Sequence, residues 1–111
     1  SFNDNLAMWF HNGKEIFTGN PNLTISHVSV SKITPTSALI TWETNLYANS
    51  KVNYGTTLVY GKDSQTEDKS INHEILLTNL EPETTYYFEV ISHAIHTTFD
   101  AYHMFSTGKI E

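Results

Sequence analysis

The chain has 111 residues, with six basic against twelve acidic side chains, a formal net charge of −6 and no cysteine. A single domain is the default at this length, and about two-thirds of its surface can be buried without a disulfide or a metal. All six basic residues are lysine. That argues against nucleic acid and against an anionic membrane, which call for dense positive charge and, for phosphate, planar guanidinium forks. No apolar run approaches the roughly 20 residues of a membrane helix, so insertion is not expected. The missing cysteines exclude a thiol nucleophile and every Cys-based zinc or iron–sulfur site.

Residues 1–22 read as an N-terminal extension and linker ahead of a main domain at 23–108. Asn12-Gly13 is a strong two-residue hairpin turn between Leu6–Phe10 and Glu15–Thr18. It sets Trp9 opposite Ile16 and Met8 opposite Phe17. A lone hairpin is marginal in water, so this one either covers a face or edge of the main domain or belongs to a neighbour. Asn20-Pro21-Asn22 reads as the link.

From residue 23 the chain shows short alternating runs broken by turn residues, with no helical periodicity. Ile25–Val30 comes first, and Ala38–Trp42 follows with Ala38, Ile40 and Trp42 on one face. Lys51–Tyr54 points Val52 and Tyr54 the same way and ends at Gly55. A small strand is expected near Val59–Lys62. Between Asp63 and Glu83 stand Asp63, Glu67, Asp68, Glu74, Glu81 and Glu83 against Lys69, a solvated loop and strand surface. His73–Thr78 puts Ile75 and Leu77 on one side, and Thr85–Ser92 does so for Tyr86, Phe88 and Val90. Tyr102–Thr107 closes the series. It carries one residue more than alternation allows, which suggests a bulge. About seven strands of this kind predict an all-β, immunoglobulin-like two-sheet sandwich.

The order of landmarks resembles a fibronectin type III domain, of the kind strung along secreted bacterial and archaeal proteins. Ala38-Leu39-Ile40-Thr41-Trp42-Glu43-Thr44 is similar to the family's second strand with its core tryptophan. Val52-Asn53-Tyr54-Gly55-Thr56-Thr57 resembles the third strand and its exit, and His73–Leu80 resembles the fifth. Leu80-Glu81-Pro82-Glu83-Thr84-Thr85-Tyr86 is similar to the turn that carries the corner tyrosine, and Phe105-Ser106-Thr107 to the last strand's end. The resemblance implies that the Tyr86 hydroxyl bonds backbone within Leu80–Glu83 and that Pro82 pre-sets the turn. It also implies a core of Trp42, Ile40, Val52, Tyr54, Ile75, Leu77, Leu80, Phe88, Val90 and Phe105. No Arg-Gly-Asp is present, so integrin recognition by that route does not transfer.

Signals for chemistry are weak. His93-x-x-His96 with His103 and Asp100 could hold zinc or nickel only if the chain bends, because strand positions three apart face opposite ways. Histidines decorating a polar loop are the plainer reading, and no metal or cofactor is expected. Paired carboxylates such as Glu81 and Glu83 lie on turns of a convex surface, where solvent keeps them ordinary. There is no phosphate loop and no Gly-x-Ser-x-Gly elbow. Asn22-Leu23-Thr24 is a glycosylation sequon of the kind chance supplies in an asparagine-rich chain.

Aromatic side chains make up 13% of the sequence. Tyr47 (in the loop after the second strand), Tyr60, Tyr87, Phe99 and Tyr102 are candidates for exposure, and exposed rings stack on sugars or anchor proteins. Leu39, Leu76, Tyr87 and Ile91 should face outward, with Leu39 and Leu76 forming an apolar patch. The expected function is a non-catalytic spacer of a larger secreted or cell-surface protein, monomeric or weakly dimeric, whose partners are neighbouring domains. Two alternatives stand beside it: a module binding polysaccharide or surface protein through its rings, and the accessory N-terminal domain of a purple-acid-phosphatase-like metalloenzyme.

Overall fold

The computed structural model describes residues 22–111 and the backbone of two short strands, β1 (Met8–His11) and β2 (Lys14–Phe17). These two pair antiparallel, Met8 with Phe17 and Trp9 with Ile16. The Asn12-Gly13 turn, the Asn20-Pro21 part of the linker and the contacts of the hairpin side chains lie outside the described residues.

Five strands form the main domain: β3 (Ile25–Ser31), β4 (Ala38–Gly55), β5 (Lys62–Leu77), β6 (Thr85–His93) and β7 (Thr97–Ser106). They make one curled antiparallel sheet in the order β3-β4-β6-β7, with β5 also paired to β4. The first half of β4 lies between β3 and the Asn72–Leu77 part of β5. Its second half lies between the Lys62–Thr66 part of β5 and β6. Both long strands thus pass from one layer of the sandwich to the other.

This corrects the expected strand count. The runs at Ala38–Trp42 and Lys51–Tyr54 are one strand, because small side chains at Thr44, Ala48 and Ser50 stay buried through the bend. The ladder continues there across register shifts between Glu43 and Ser50, the usual device where a strand changes sheets. The acidic segment read as a loop is the first half of β5, an edge strand whose charge discourages further pairing. Val59–Gly61, read as strand, is part of the turn, with Tyr60 at φ 62° and Gly61 at φ 106°. Tyr47, read as loop, lies within β4.

The core is built from Ala38, Ile40, Trp42, Val52, Tyr54, Ile75, Leu77, Leu80, Tyr86, Phe88, Val90 and Phe105. Tyr86 Oη accepts the Glu81 backbone N–H at 2.8 Å, so the turn between β5 and β6 is stapled by a phenol as in fibronectin type III domains. Pro82 sits half-buried in that turn. Leu39 is buried, against expectation, while its cross-strand partner Leu76 is 54% exposed. The difference is one of position: Leu39 stands on a strand flanked on both sides, Leu76 on an edge strand. A register shift between Phe88 and Val90 puts the β7 bulge at Ala101–Tyr102, opposite Glu89.

The chain enters and leaves this domain at opposite poles. Asn45 grips the entrance, donating through Nδ2 to the Asn22 carbonyl at 2.7 Å and accepting the Thr24 N–H at 2.8 Å. At the other pole Gly108 donates to the Thr34 carbonyl at 3.1 Å and accepts the Glu83 N–H at 3.0 Å.

Candidate interaction surface

The densest polar chemistry lies inside the sandwich. Trp42 and His73 are ladder partners, which brings their rings parallel at 5.1 Å. The indole N–H donates to Ser92 Oγ at 2.9 Å. His73 Nδ1 lies 2.6 Å from Ser50 Oγ and Nε2 lies 2.7 Å from Thr44 Oγ1. The Thr44 hydroxyl donates to the Leu46 carbonyl at 2.7 Å, so it accepts from His73 Nε2–H, and Nδ1 accepts from Ser50. Burial holds the imidazole below its ordinary pKa of 6.5 and favours this neutral form. A serine hydroxyl on a histidine is half of a hydrolase dyad, yet Ser50 and His73 are each only 2% exposed. Both belong to the buried polar residues that sit within the core. The sequence did signal this burial, since His73 shares the parity of Ile75 and Leu77.

The histidine constellation does not assemble. His93 Nδ1 pairs with Thr97 Oγ1 at 2.6 Å, and His96 lies exposed on the turn. His103 stacks on Phe88 at 5.2 Å, its Nε2 lying 3.2 Å from Asp100 Oδ1 without hydrogen-bond geometry. Among the described residues no three His, Cys, Asp or Glu side chains gather to hold a metal. Beside the bulge in β3 lies a cleft of about 280 Å³ lined by His27, Thr41, Trp42, Glu43, Asn72, His73 and Glu74. His27 Nδ1 lies 3.3 Å from Glu43 Oε1 there, with both side chains well exposed.

Four of the five candidate rings come together on the outer face of the second layer. Tyr87 stands opposite Met104 and Ile91 opposite Phe99. Phe99 is 65%, Met104 58% and Tyr102 84% exposed, while Tyr87 and Ile91 are half-buried among them. Tyr60 reaches this face from the β4–β5 turn. Burial first, and then the Glu89 carboxylate, raise its phenol pKa, against a backbone hydrogen bond from Tyr102 that lowers it. The approach depends on Gly55, where a Cβ would stand 1.7 Å from the Tyr60 carbonyl oxygen. Tyr47 is exposed as well, on the bend of β4.

Solved structures share this fold. A computationally redesigned β-sandwich protein aligns at 27% identity over 78% of this chain and 96% of its own, with a TM-score of 0.59. The sensor domain of the anti-sigma factor RsgI4 of Pseudobacteroides cellulosolvens aligns at 24% identity over 81% of this chain and 93% of its own, TM-score 0.59. A fibronectin type III domain of the human KIAA0970 protein aligns at 21% identity over 78% and 74%, TM-score 0.57. No curated protein sequence matches the chain. Residues 24–107, essentially the whole of the sandwich from its entrance to its exit, match the model of the purple acid phosphatase N-terminal domain. The chain belongs to that family, whose fold is fibronectin type III-like.

Proposed function

We propose that this domain is a non-catalytic spacer in a longer secreted or cell-surface chain, holding its neighbours at a fixed separation and orientation. The carrying observation is the pair of anchor points. The chain is tied into the fold at Asn45 on entry and at Thr34 and Glu83 on exit, at opposite poles. Force or torque arriving at one end is thereby passed through hydrogen-bonded ladder to the other. The family supports an accessory role, and within it a place ahead of a metallophosphatase-like domain fits best. On this reading any metal ligands and reacting groups lie on that neighbour.

In the parent chain, residues 23–108 would be replaced by a flexible Gly/Ser linker of equal reach. The neighbours should keep their intrinsic chemistry, while their separation, read by X-ray scattering or by fluorescence transfer between labels, broadens from one value to a wide distribution. A distribution unchanged by the replacement would refute the spacer role. So would turnover of a phosphomonoester by residues 1–111 alone.

A further inference from the structure

The outer face of the second layer holds a carboxylate among rings. Glu89 projects from β6, and one of its oxygens accepts from Asn53 Nδ2 at 2.8 Å. The ion pairs among the described residues are His27–Glu43 and His103–Asp100, so within that set Glu89 makes none. On the same face the register sets Lys51 opposite Ile91 and a second carboxylate, Asp63, opposite Asn53, so acidic groups outnumber the lysine there. Tyr60 lies near Glu89, its backbone packed against Gly55, the ladder partner of Tyr87 on β6. Tyr102, in the bulge opposite Glu89, is held at φ 67° and is 84% exposed. A tyrosine in the left-handed region is strained, and such strain persists where the surroundings over-determine it, often at binding sites. Two positions along β6, about 7 Å away, Ile91 and Phe99 form the apolar part of the same surface.

We propose that this face docks a basic segment of a partner protein, with an arginine or lysine lying against Tyr60 and Tyr102 to pair with Glu89 and an apolar residue covering Phe99 and Met104. A cation on a tyrosine face beside a carboxylate gains from the ring quadrupole and from the ion pair together. The net charge of −6 draws basic partners and repels polyanions. Methionine interleaved with aromatic rings is the composition of protein interfaces, which favours a protein over a neutral glycan. This docking is independent of the spacer role.

The uniformly ¹⁵N-labelled chain would be titrated with a blocked hexapeptide carrying arginine and leucine two positions apart. Amide shifts should centre on Glu89, Phe99 and Tyr102. Glu89→Gln, which keeps the Asn53 hydrogen bond, should weaken binding roughly 5–10-fold, and Tyr102→Ala by a similar factor. Asp68→Asn, on the far edge of β5, should leave it unchanged. Any one of four results would overturn the proposal: no shifts, equal shifts with glutamate in place of arginine, equal weakening by Glu89→Gln and Asp68→Asn, or shifts with cellohexaose but not with the peptide. A dispersed spectrum of each variant confirms that it is folded.

Discussion

Acidification should weaken this domain through His73. The imidazole is 2% exposed, stacked on Trp42, and both its nitrogens are bonded to hydroxyls. Thr44, Ser50 and Ser70 are the polar side chains that face it, and none is a carboxylate able to stabilise a positive charge. Its folded pKa is therefore lowered below the ordinary 6.5. Below that value the unfolded chain takes up a proton that the folded chain refuses, so stability is complete above it and is lost as pH falls towards the folded pKa. The slope is at most about 1.4 kcal/mol per pH unit while the folded ring stays neutral. For a domain of this size each kcal/mol lost lowers Tm by roughly 4–8 °C. The chain holds five other histidines, so the measurement is a difference. Thermal melts of wild type and His73→Gln would be followed from pH ~8 to ~5. The wild-type curve should fall more steeply than the variant's, with the gap opening below pH ~6.5. Parallel curves would refute the assignment of a neutral, uncompensated histidine in the core.

Two further outcomes are expected from single substitutions. Tyr86→Phe removes the acceptor of the Glu81 N–H, leaving it unpaired at a cost of about 1–3 kcal/mol in denaturant midpoint analysis; an unchanged midpoint would mean that the hydroxyl staples nothing. Gly55→Ala drives a methyl into the Tyr60 carbonyl, so the β4–β5 turn must move, and a loss of about 2 kcal/mol or more is expected by thermal melting. The same variant should quench or shift signals of Tyr60 and Tyr102 together, because the turn carries Tyr60 to the face of β6.

Much of the architecture is legible in the sequence because it rests on parity. Alternation places Ile40 and Trp42, Val52 and Tyr54, and Tyr86, Phe88 and Val90 on common faces, and each of these groups is buried together. The bulge near Tyr102 is readable from a residue surplus to that alternation, and the corner hydroxyl from the resemblance of the Leu80–Tyr86 turn to the fibronectin type III one. The joining of strands is less readable. Thr44, Ala48 and Ser50 are polar or small and look like a loop, and only the tertiary bend makes small side chains the right filling for a layer crossing. Burial of Leu39 depends on neighbours to both sides, which one strand's own residues do not reveal. His73 is the instructive case. Its parity pointed inward, but its chemical type suggested a surface, and the hydroxyls that satisfy it come from residues 44 and 50, on a strand joined only by the fold. The rings were visible as a surplus, whereas their gathering around Glu89 follows from the turn at Gly55 and the extra residue in β7.

Without a disulfide, the two layers need another device to fix their offset, and side-chain bonds crossing between them supply it. Trp42 in the first layer donates to Ser92 in the second, and His73 in the first bonds Ser50 in the second. An apolar core of equal volume would hold the layers together, but its attraction is non-directional and tolerates sliding; satisfied polar bonds select one arrangement. That arrangement decides what β6 shows to solvent. With Ser92 fixed inward, Ile91 and Glu89 must face out, because neighbouring side chains on a strand alternate. A slip of one residue would carry Glu89 into the core without a counter-charge and push Phe88 and Val90 into water. Both changes are costly. The inner network and the outer patch therefore express one register, and a substitution that loosens Trp42 from Ser92 should disturb the ring-lined face before it unfolds the domain.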